Sequence, residues 1–291
     1  MSGMEGVRAA TWRSMLYVPA SVPRFIAKAA GAGADAIILD LEDGVPANAK
    51  TEAREALAGA VATCRAGGAD VLVRINRPLR LAVPDLEAAM AAGADGVLVT
   101  KVTGAEHLAL LAELLDELEI EHPRARPAMV VPLIETPRAA LRMEEIAAAP
   151  RVAGMLVGAE DLAAECGSAA DDPLIVDIKR RMVLAAASAG IAPLGTLGSV
   201  ADFRDADRVR RVAEEARRSG FVGASCVHPA LVAVLNGAFS PGEAELDLAR
   251  RQLAAAEAAA LEKRGAFQVD GRMVDEPILR RARRLLATAR G

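Results

Sequence analysis

The chain is poor in aromatic residues, with one Trp, one Tyr and five Phe among 291 residues. So few rings argue against the stacking platforms that bind single-stranded nucleic acid. Basic residues are not in excess either, since 35 Lys and Arg stand against 39 Asp and Glu, and no basic stripe is present. These shortages exclude nucleic acid as an expected partner.

Cysteine and long apolar runs are also scarce. Cys64, Cys166 and Cys226 lack the spacing of metal ligands, and their odd number predicts reduced thiols in a cytoplasmic protein. The amino-terminal segment has no apolar signal core, and no apolar run approaches the ~20 residues of a membrane span. We therefore expect a cytoplasmic protein without a membrane partner.

Short apolar runs with β-branched residues alternate along most of the chain with Ala-rich stretches predicted to be helical, such as Pro84 to Ala92 and Pro137 to Ala149. This alternation predicts a parallel sheet, and eight units predict a closed (β/α)₈ TIM barrel of the α/β class. The predicted strands are Met15–Pro19, Asp35–Asp40, Val71–Ile75, Gly96–Lys101, Met129–Glu135, Val152–Gly158, Ile191–Thr196 and Val222–His228. The strand near Ile191 is the least regular because Pro193, Gly195 and Gly198 interrupt it.

The pattern changes after about Pro241. A helical segment, Gly242 to Lys263, is followed by a Gly-bearing turn and a last helix from about Glu276 to Arg290. We predict a barrel over residues 1–240 and a C-terminal helical extension over residues 241–291. Such an arm either covers its own active site as a lid or reaches a neighbouring subunit.

Glu135 and Asp161 stand at the downstream ends of consecutive apolar runs. In a barrel these ends meet at one rim, where active sites form. Two carboxylates with room left for a substrate are a usual magnesium site, and such a metal polarises a carbonyl. The sequence thus predicts a metal-dependent enzyme that acts on a small keto or hydroxy acid.

Polar residues end most of the other predicted strands too. They are Asp40, Glu42, Asp43, Arg74, Asn76, Lys101, Glu160 and His228. An arginine at the end of an apolar strand needs a partner, and a substrate carboxylate or carbonyl oxygen suits its planar fork. We expect Arg74 to bind such an oxygen.

Each of these residues also has a purely structural interpretation. Asp161 could cap the helix that begins near Leu162, and Glu135 could pair with Arg138 or cap the turn before Pro137. Arg74 could serve a salt bridge. Asp40 and Glu42 could organise loops, His228 fits a structural role better than a catalytic one, and the role of Lys101 stays open. His107 and His122 are expected to be solvated.

Several segments resemble the citrate lyase beta-subunit-like proteins of the HpcH/HpaI aldolase superfamily, which include malyl-CoA and citramalyl-CoA lyases. The matching segments are RSMLYVPASVPRFIAKA, ADAIILDLEDGV, VRIN, VPLIETPRA, GAEDLAAECG, VHP and the C-terminal GRMVDEP. They occur in the family's order over nearly the whole chain. The combination of LDLED, LIET and GAEDL is specific, whereas any one alone is weak.

The resemblance implies roles for individual residues. Glu135 and Asp161 resemble the Mg²⁺ ligands (Mn²⁺ being the alternative metal), and Asp40 and Glu42 resemble the residues that order metal-bound waters. Arg74, with Glu135, is expected at the substrate, and Asp275 resembles the acid–base carboxylate of the lid, so that Asp275, Arg74 and Glu42 form the expected catalytic set. Contacts to coenzyme A are expected near Arg13, Pro19, Arg24 and Lys28.

The implied reaction is the reversible cleavage of a 3-hydroxy-3-carboxyacyl-CoA, of the malyl-CoA or citramalyl-CoA type, to acetyl-CoA and a 2-keto acid. In relatives the lid closes over a neighbouring subunit of a trimer or hexamer, so a homo-oligomer is expected. The chain departs from the pattern common among relatives at Ala20, Val22, Ala224, Ala230 and Leu231, in or near the loops expected to face coenzyme A.

Three other functions remain open. One is a metal-dependent aldolase that uses a pyruvate enolate with free aldehydes. A second is a malyl-CoA thioesterase or malate-synthase-like reaction in the same site. The third is a non-catalytic subunit or CoA-binding regulatory protein that retains the fold.

Overall fold

Eight parallel strands follow one another around a barrel in chain order. The computed structural model describes residues 7–198, 204–261 and 267–288. The strands are β1 Ser14–Pro19, β2 Ala36–Asp40, β3 Asp70–Ile75, β4 Gly96–Val99, β5 Met129–Ile134, β6 Gly154–Val157, β7 Ala192–Leu194 and β8 Ala224–Cys226. Each strand from β1 to β6 pairs with the next, and β1 also pairs with β8. A parallel bridge between Leu194 and Gly223 joins β7 to the start of β8 and closes the ring. The predicted TIM barrel is therefore confirmed.

Helices occupy the connections between the strands. They are α1 Pro23–Ala30, α2 Lys50–Glu55, α3 Leu57–Ala66, α4 Leu79–Ala91, α5 Ala105–Glu121, α6 Pro137–Ala140, α7 Met143–Ala147, α8 Ala159–Cys166, α9 Pro173–Ala189, α10 Ala206–Arg218 and α11 Val232–Phe239. Short 3₁₀ turns lie at Ala47–Ala49 and Pro229–Leu231. Among the described helices, none is both long and apolar enough to cross a bilayer.

Apolar side chains fill the barrel because alternate residues of every strand point inward. Met15, Ile38, Leu72 and Leu98 are fully buried members of this interior cluster. Trp12 belongs to the same cluster and donates from its ring nitrogen to Asp70 at 2.7 Å. Since Trp12 precedes β1 and Asp70 begins β3, this contact closes the amino-terminal end of the barrel and leaves the opposite end open.

Some helices differ from their predicted extents. The predicted segment Pro137–Ala149 contains two short helices, because Arg142 leaves the helical backbone region at φ −123°. Helix α4 begins at Leu79 rather than Pro84, so that proline lies inside the helix. The three cysteines are free, as predicted.

Residues 238–291 form a second compact unit by their contacts, and the first unit ends at Gly237. The second unit contains α12 Glu243–Leu261 and α13 Glu276–Thr288, which pack on each other. The segment predicted as a turn instead holds an antiparallel pair, β9 Phe267–Val269 and β10 Arg272–Val274. Asp270, at φ 50°, and Gly271, at φ 75°, supply the positive dihedrals of a tight hairpin. The predicted helix ends at Lys263 and Arg290 lie outside the described residues.

Barrel closure depends on a close backbone approach at Gly223. A Cβ atom there would collide with the backbone of Trp12 and Arg13, which cannot move aside like a flexible side chain. We expect Gly223→Ala to lower the free energy of unfolding by about 1–3 kcal/mol, as overpacking does. Gly59→Ala is the matched control, because Gly59 lies in α3 with nothing within 4 Å of its added Cβ. It should stabilise by roughly 0.5–1 kcal/mol. Urea unfolding of both variants measures this, and equal effects would contradict it.

Candidate active site

The strand register brings charged residues together at the carboxyl ends of the strands. Asp40 and Arg74 are direct partners across the β2–β3 pair. Each stands two residues after a core residue of its strand, Ile38 and Leu72, and therefore shares the inward face. Glu135 follows the core residue Leu133 by the same spacing. The alternation of the strands thus places three predicted site residues over the barrel interior.

Asp40 is the centre of a hydrogen-bonded network. Its two oxygens accept from Nε and Nη2 of Arg74 at 2.7 and 2.6 Å. They also accept from the backbone N–H groups of Glu42 and Gly44, each at 2.8 Å. Four donors, two of them charged, offset the cost of burying this carboxylate, which is only 4% exposed.

Arg74 makes a third contact, from Nη1 to Glu42 at 3.0 Å, so the structural salt bridge does form. Its fork is not exhausted, because a guanidinium carries five N–H donors. Burial would lower the pKa of Arg74, but the bonds and charge of Asp40 raise it above its usual value. The guanidinium carbon lies 5.1 Å from the centre of the Tyr17 ring. Arg74 is thus a fixed cation with donors left for a ligand.

Glu135 is held by the backbone of the neighbouring strand's loop. Its Oε2 accepts from the N–H of Lys101 at 2.7 Å. Lys101 has φ 48°, a conformation that non-glycine residues seldom adopt. Its side chain donates to Glu42 at 2.7 Å, while Nε of Arg77 donates to its carbonyl at 3.2 Å. Lys101 therefore links Glu135 to Glu42 through its main chain and its side chain.

The pKa of Glu135 is raised to about 7, first by burial and then by the charges of Asp161 and Glu42, against the opposing Lys101 N–H. Thr136, not Glu135, caps α6. Among the described residues, Glu135 therefore neither caps this turn nor forms an ion pair with Arg138. A bound cation would lower the electrostatic cost of ionising a carboxylate that is buried beside another negative charge.

Asp161 lies in the first turn of α8, whose N-cap is Gly158. Asp161 is therefore not the capping residue, and the described residues supply no hydrogen bond to its carboxylate. Gly158 lets the start of α8 approach Glu135, since an added Cβ would stand 2.5 Å from Cγ and 2.7 Å from Oε1 of that residue. The pair of carboxylates has free oxygens for a hard cation such as Mg²⁺.

A cavity of about 1000 Å³ opens over this rim. Its lining joins the ends of β1, β2, β3, β5, β6 and β8. Among the predicted residues it includes Pro19, Lys28, Asp40, Asp43, Arg74, Glu135, Glu160, Asp161 and His228. This volume is at the upper end for small-molecule and cofactor sites.

The expected coenzyme A residues separate into two groups. Pro19 and Lys28 line the cavity, together with Phe25. Arg24 stands beside them on α1 with its guanidinium 4.9 Å from the Phe25 ring. Arg13 precedes β1 and forms a two-point ion pair with Asp35 at 2.8 Å, at the amino-terminal end of the strands. The structure therefore does not bring Arg13 to the cavity.

The remaining strand-end residues have structural contacts. Nδ1 of His228 accepts from the N–H of Ala230 at 3.2 Å and so caps the turn that follows. Asn76 donates to the carbonyl of Leu41 and to the fully buried Asp85. Asp275 belongs to the second unit, where its carboxylate accepts from the N–H of Ile278 at 3.4 Å at the start of α13.

Three residues of the site were missed in the sequence. Tyr17 lines the cavity against Arg74, and Gly158 admits α8. Lys50 donates to the carbonyls of Leu41 and Glu42 at 2.6 and 2.7 Å. The single tyrosine, at an inward position of β1, and the glycine of GAED were available signals. No sequence signal marks Lys50, because its bonds to the carbonyls of Leu41 and Glu42 depend on how the loop folds.

The expectation that both helix and loop histidines are solvated is wrong for His107. Its ring is buried on α5, and the described part of the chain offers no hydrogen-bond partner to Nδ1. Burial and the charge of Arg77 lower its pKa to about 4, so it is neutral at physiological pH. His122 is exposed, as predicted.

Comparisons with known proteins point to one family. The family model of HpcH/HpaI aldolase/citrate lyase matches residues 13–229. A (3S)-malyl-CoA thioesterase of Cereibacter sphaeroides is 38% identical over 96% of this chain and 94% of its own. A citrate lyase subunit beta-like protein of Deinococcus radiodurans is 34% identical over 94% and 96%. The crystal structure of Mycobacterium tuberculosis CitE with magnesium, acetoacetate and coenzyme A has a TM-score of 0.77 at 33% identity, over 97% and 98% of the chains.

The raised pKa of Glu135 has a consequence for the metal-free protein. The folded chain keeps a proton up to about pH 7 that the unfolded chain, with a pKa near 4.5, has lost. The free energy of unfolding should therefore fall as pH rises between these values, by up to about 3 kcal/mol, and level off above them.

Urea unfolding in EDTA at several pH values tests this, with Glu135→Gln as the variant that cannot titrate. The wild type should lose stability relative to the variant as pH rises from about 5 to about 8. A difference between the two proteins that does not change with pH would contradict the assignment.

Proposed function

The chain belongs to the HpcH/HpaI aldolase/citrate lyase family, and from this premise we propose that it is a Mg²⁺-dependent enzyme acting on malyl-CoA-type thioesters. Its main reaction is the reversible cleavage of a 3-hydroxy-3-carboxyacyl-CoA to acetyl-CoA and a 2-keto acid. The observation that carries the proposal is the buried Glu135 next to Asp161, beside the anchored Arg74, in one cavity.

Glu135 and Asp161 would hold the magnesium ion. When bound, this ion supplies Lewis-acid polarisation of the oxygens on the keto-acid half of the substrate. Asp40 and Glu42 keep Arg74 charged and oriented, and Glu42 is held in turn by Lys101 at 2.7 Å. The remaining N–H groups of Arg74 stabilise an oxyanion, an effect typically worth ~3–4 kcal/mol for a pre-placed donor.

Cleavage requires a base to remove the substrate hydroxyl proton. The carbonyl of the keto acid then forms as the carbon–carbon bond breaks, and the electron pair moves onto the thioester carbonyl. A proton returned to the resulting enolate carbon gives acetyl-CoA. We assign both proton transfers to Asp275, because it resembles the acid–base carboxylate of the family. Such general acid–base catalysis typically raises the rate by roughly 10²–10⁴-fold.

The coenzyme A half is assigned to the first βα connection. Pro19, Phe25 and Lys28 line the same cavity as Arg74, and Arg24 adds a second cation nearby. Cations at this entrance suit the phosphates of coenzyme A, since ammonium and guanidinium groups are the usual partners of phosphate.

Hydrolysis of the thioester is the second candidate reaction. It is favoured by the relatives described as (3S)-malyl-CoA thioesterases, which are 38% identical or slightly less over 96% of this chain. In this reaction water adds to the thioester carbonyl and the C–S bond breaks. The products are free coenzyme A and a hydroxy acid. The carbon–carbon bond stays intact.

Product analysis with malyl-CoA and citramalyl-CoA tests both reactions. We expect Mg²⁺-dependent loss of substrate that stops in EDTA, with acetyl-CoA and a keto acid as products of cleavage. Hydrolysis would release a free thiol and no keto acid.

Asp161→Asn should lower kcat/KM by about 100-fold or more, because Lewis-acid assistance is worth several kcal/mol. An unchanged rate in EDTA, or in this variant, would refute the metal role.

Asp275→Asn tests the acid–base assignment. Its turnover should fall by about 10²-fold or more, while binding of pyruvate with Mg²⁺, measured by calorimetry, stays unchanged. Asp275→Asn keeps a side chain that can cap α13, so the loss is not expected from unfolding. Full activity of this variant would remove Asp275 from the mechanism.

The proposed homo-oligomer, a trimer or hexamer, can be tested with the same substitutions. Co-expressed Asp161→Asn and Asp275→Asn chains should regain part of the activity if Asp275 serves a partner subunit's site. No recovery in a mixed oligomer would place both residues in one chain's site.

A further inference from the structure

The phenol group of Tyr17 lies at the barrel mouth, where the two sides of the site meet. Tyr17 follows the core residue Met15 by two positions on β1 and therefore shares the inward face of that strand. It lines the active-site cavity and also a second cavity of about 240 Å³. The charges of Arg74 and Glu135 both act on the pKa of Tyr17, so the residue is close to each of them.

The aromatic ring of Tyr17 has a structural partner. The guanidinium carbon of Arg74 lies 5.1 Å from the ring centre, within the range of a cation–π contact. Arg74 is held in turn by the carboxylate of Asp40 at 2.6 Å. The ring is therefore fixed beside the cation that we assign to an oxyanion of the substrate.

The hydroxyl group of Tyr17, in contrast, has no partner within the described part of the chain. No side chain or backbone group of these residues forms a hydrogen bond with its Oη atom. This oxygen is also not among their sealed polar atoms, so it reaches the space of the cavity. Because tyrosine hydroxyls inside proteins usually find a hydrogen-bond partner, this one is available to a ligand.

The phenol keeps its proton at physiological pH. Burial raises the pKa of Tyr17 above its usual value, and the positive charge of Arg74 offsets only part of that shift. The negative charges of Glu135, Asp40 and Glu42 raise the pKa further. Tyr17 therefore offers an O–H donor to the cavity, and not a phenolate.

We propose that the O–H of Tyr17 donates a hydrogen bond to the thioester carbonyl oxygen of the substrate, beside the N–H groups of Arg74. This inference rests on the proposed function and adds a catalytic residue to it. The thioester is favoured over the keto acid because β1 leads directly into the βα connection assigned to coenzyme A. The keto-acid half is assigned to Glu135 and Asp161, on the other side of the cavity.

The thioester oxygen gains negative charge in both candidate reactions. In carbon–carbon cleavage, the electron pair of the broken bond moves onto this oxygen and gives the enolate, which is then protonated on carbon. In hydrolysis, addition of water gives a tetrahedral oxyanion, which collapses as the C–S bond breaks. The proton of Tyr17 stays on the phenol throughout, so its hydrogen bond is strongest when the charge has developed.

Tyr17→Phe tests the hydroxyl alone, because it keeps the ring against Arg74. With Mg²⁺ and the malyl-CoA-type thioester that the wild type converts faster, we expect kcat to fall at least about 10-fold. KM should change by less than about twofold, because the bond strengthens mainly in the transition state. The affinity for pyruvate with Mg²⁺, measured by calorimetry, and the urea midpoint should both stay unchanged.

Tyr17→Leu is the second variant, since it removes the ring together with the hydroxyl. Its kcat should fall at least as far as that of Tyr17→Phe, because Arg74 also loses its cation–π contact. If Tyr17→Leu is impaired while Tyr17→Phe keeps the wild-type kcat, the ring acts only by positioning Arg74, and the role of the hydroxyl is refuted.

The other outcomes separate this inference from the proposed function. A raised KM at constant kcat in Tyr17→Phe would overturn it, because the hydroxyl would then bind substrate and transition state equally. Weaker binding of pyruvate with Mg²⁺ would place the hydroxyl on the keto-acid half and overturn it as well. In both cases the proposed function stands. If the wild type converts no malyl-CoA-type thioester, the proposed function itself fails, and this inference fails with it.

Discussion

The rim of the barrel depends on how the carboxylate of Asp40 is satisfied. It accepts four hydrogen bonds, two from Arg74 and two from the backbone of its own loop. The first pair orients the guanidinium, and the second folds the loop that carries Glu42. Because Glu42 in turn contacts Arg74 and Lys101, a substitution at Asp40 would disturb all three of these charged residues.

The two sides of the rim are electrostatically different. Around Asp40 every buried charge has a partner, which produces a rigid network. Around Glu135 the balance is incomplete, since its main neighbour is a backbone N–H and the nearby Asp161 charge acts against its ionisation. This contrast between the two sides of the rim supports the proposal that Glu135 and Asp161 bind a cation.

Much of this arrangement could be predicted because a parallel barrel constrains it strongly. The inward position of Asp40, Arg74 and Glu135 follows from the two-residue period of their strands, and their common rim follows from strand direction. What the period cannot supply is loop geometry. Local sequence patterns do not predict features that depend on tertiary contacts. Examples are the left-handed backbone of Lys101, the hydrogen bonds of Lys50 and the burial of His107.

The extension behaved differently from the barrel in this respect. Its helices are predictable from composition, whereas the sequence predicts only a turn at Asp270 and Gly271, because each strand of the hairpin is only three residues long. Arg13 illustrates a related limit. A basic residue next to a site motif in sequence can lie a full strand length away, here at the opposite end of β1 beside Asp35.

Lys101 holds Glu135 through its peptide nitrogen, and this separates residue identity from residue function at that position. A different side chain there would lose the ion pair with Glu42 but would leave the N–H donor to Glu135 in place. Glycine or asparagine would adopt the same backbone region with less strain. Proline alone would remove the N–H and impose an incompatible φ. During divergence the residue type at this position can change while the backbone conformation is retained. A comparison of amino-acid identities would then miss the hydrogen bond that this position donates to Glu135.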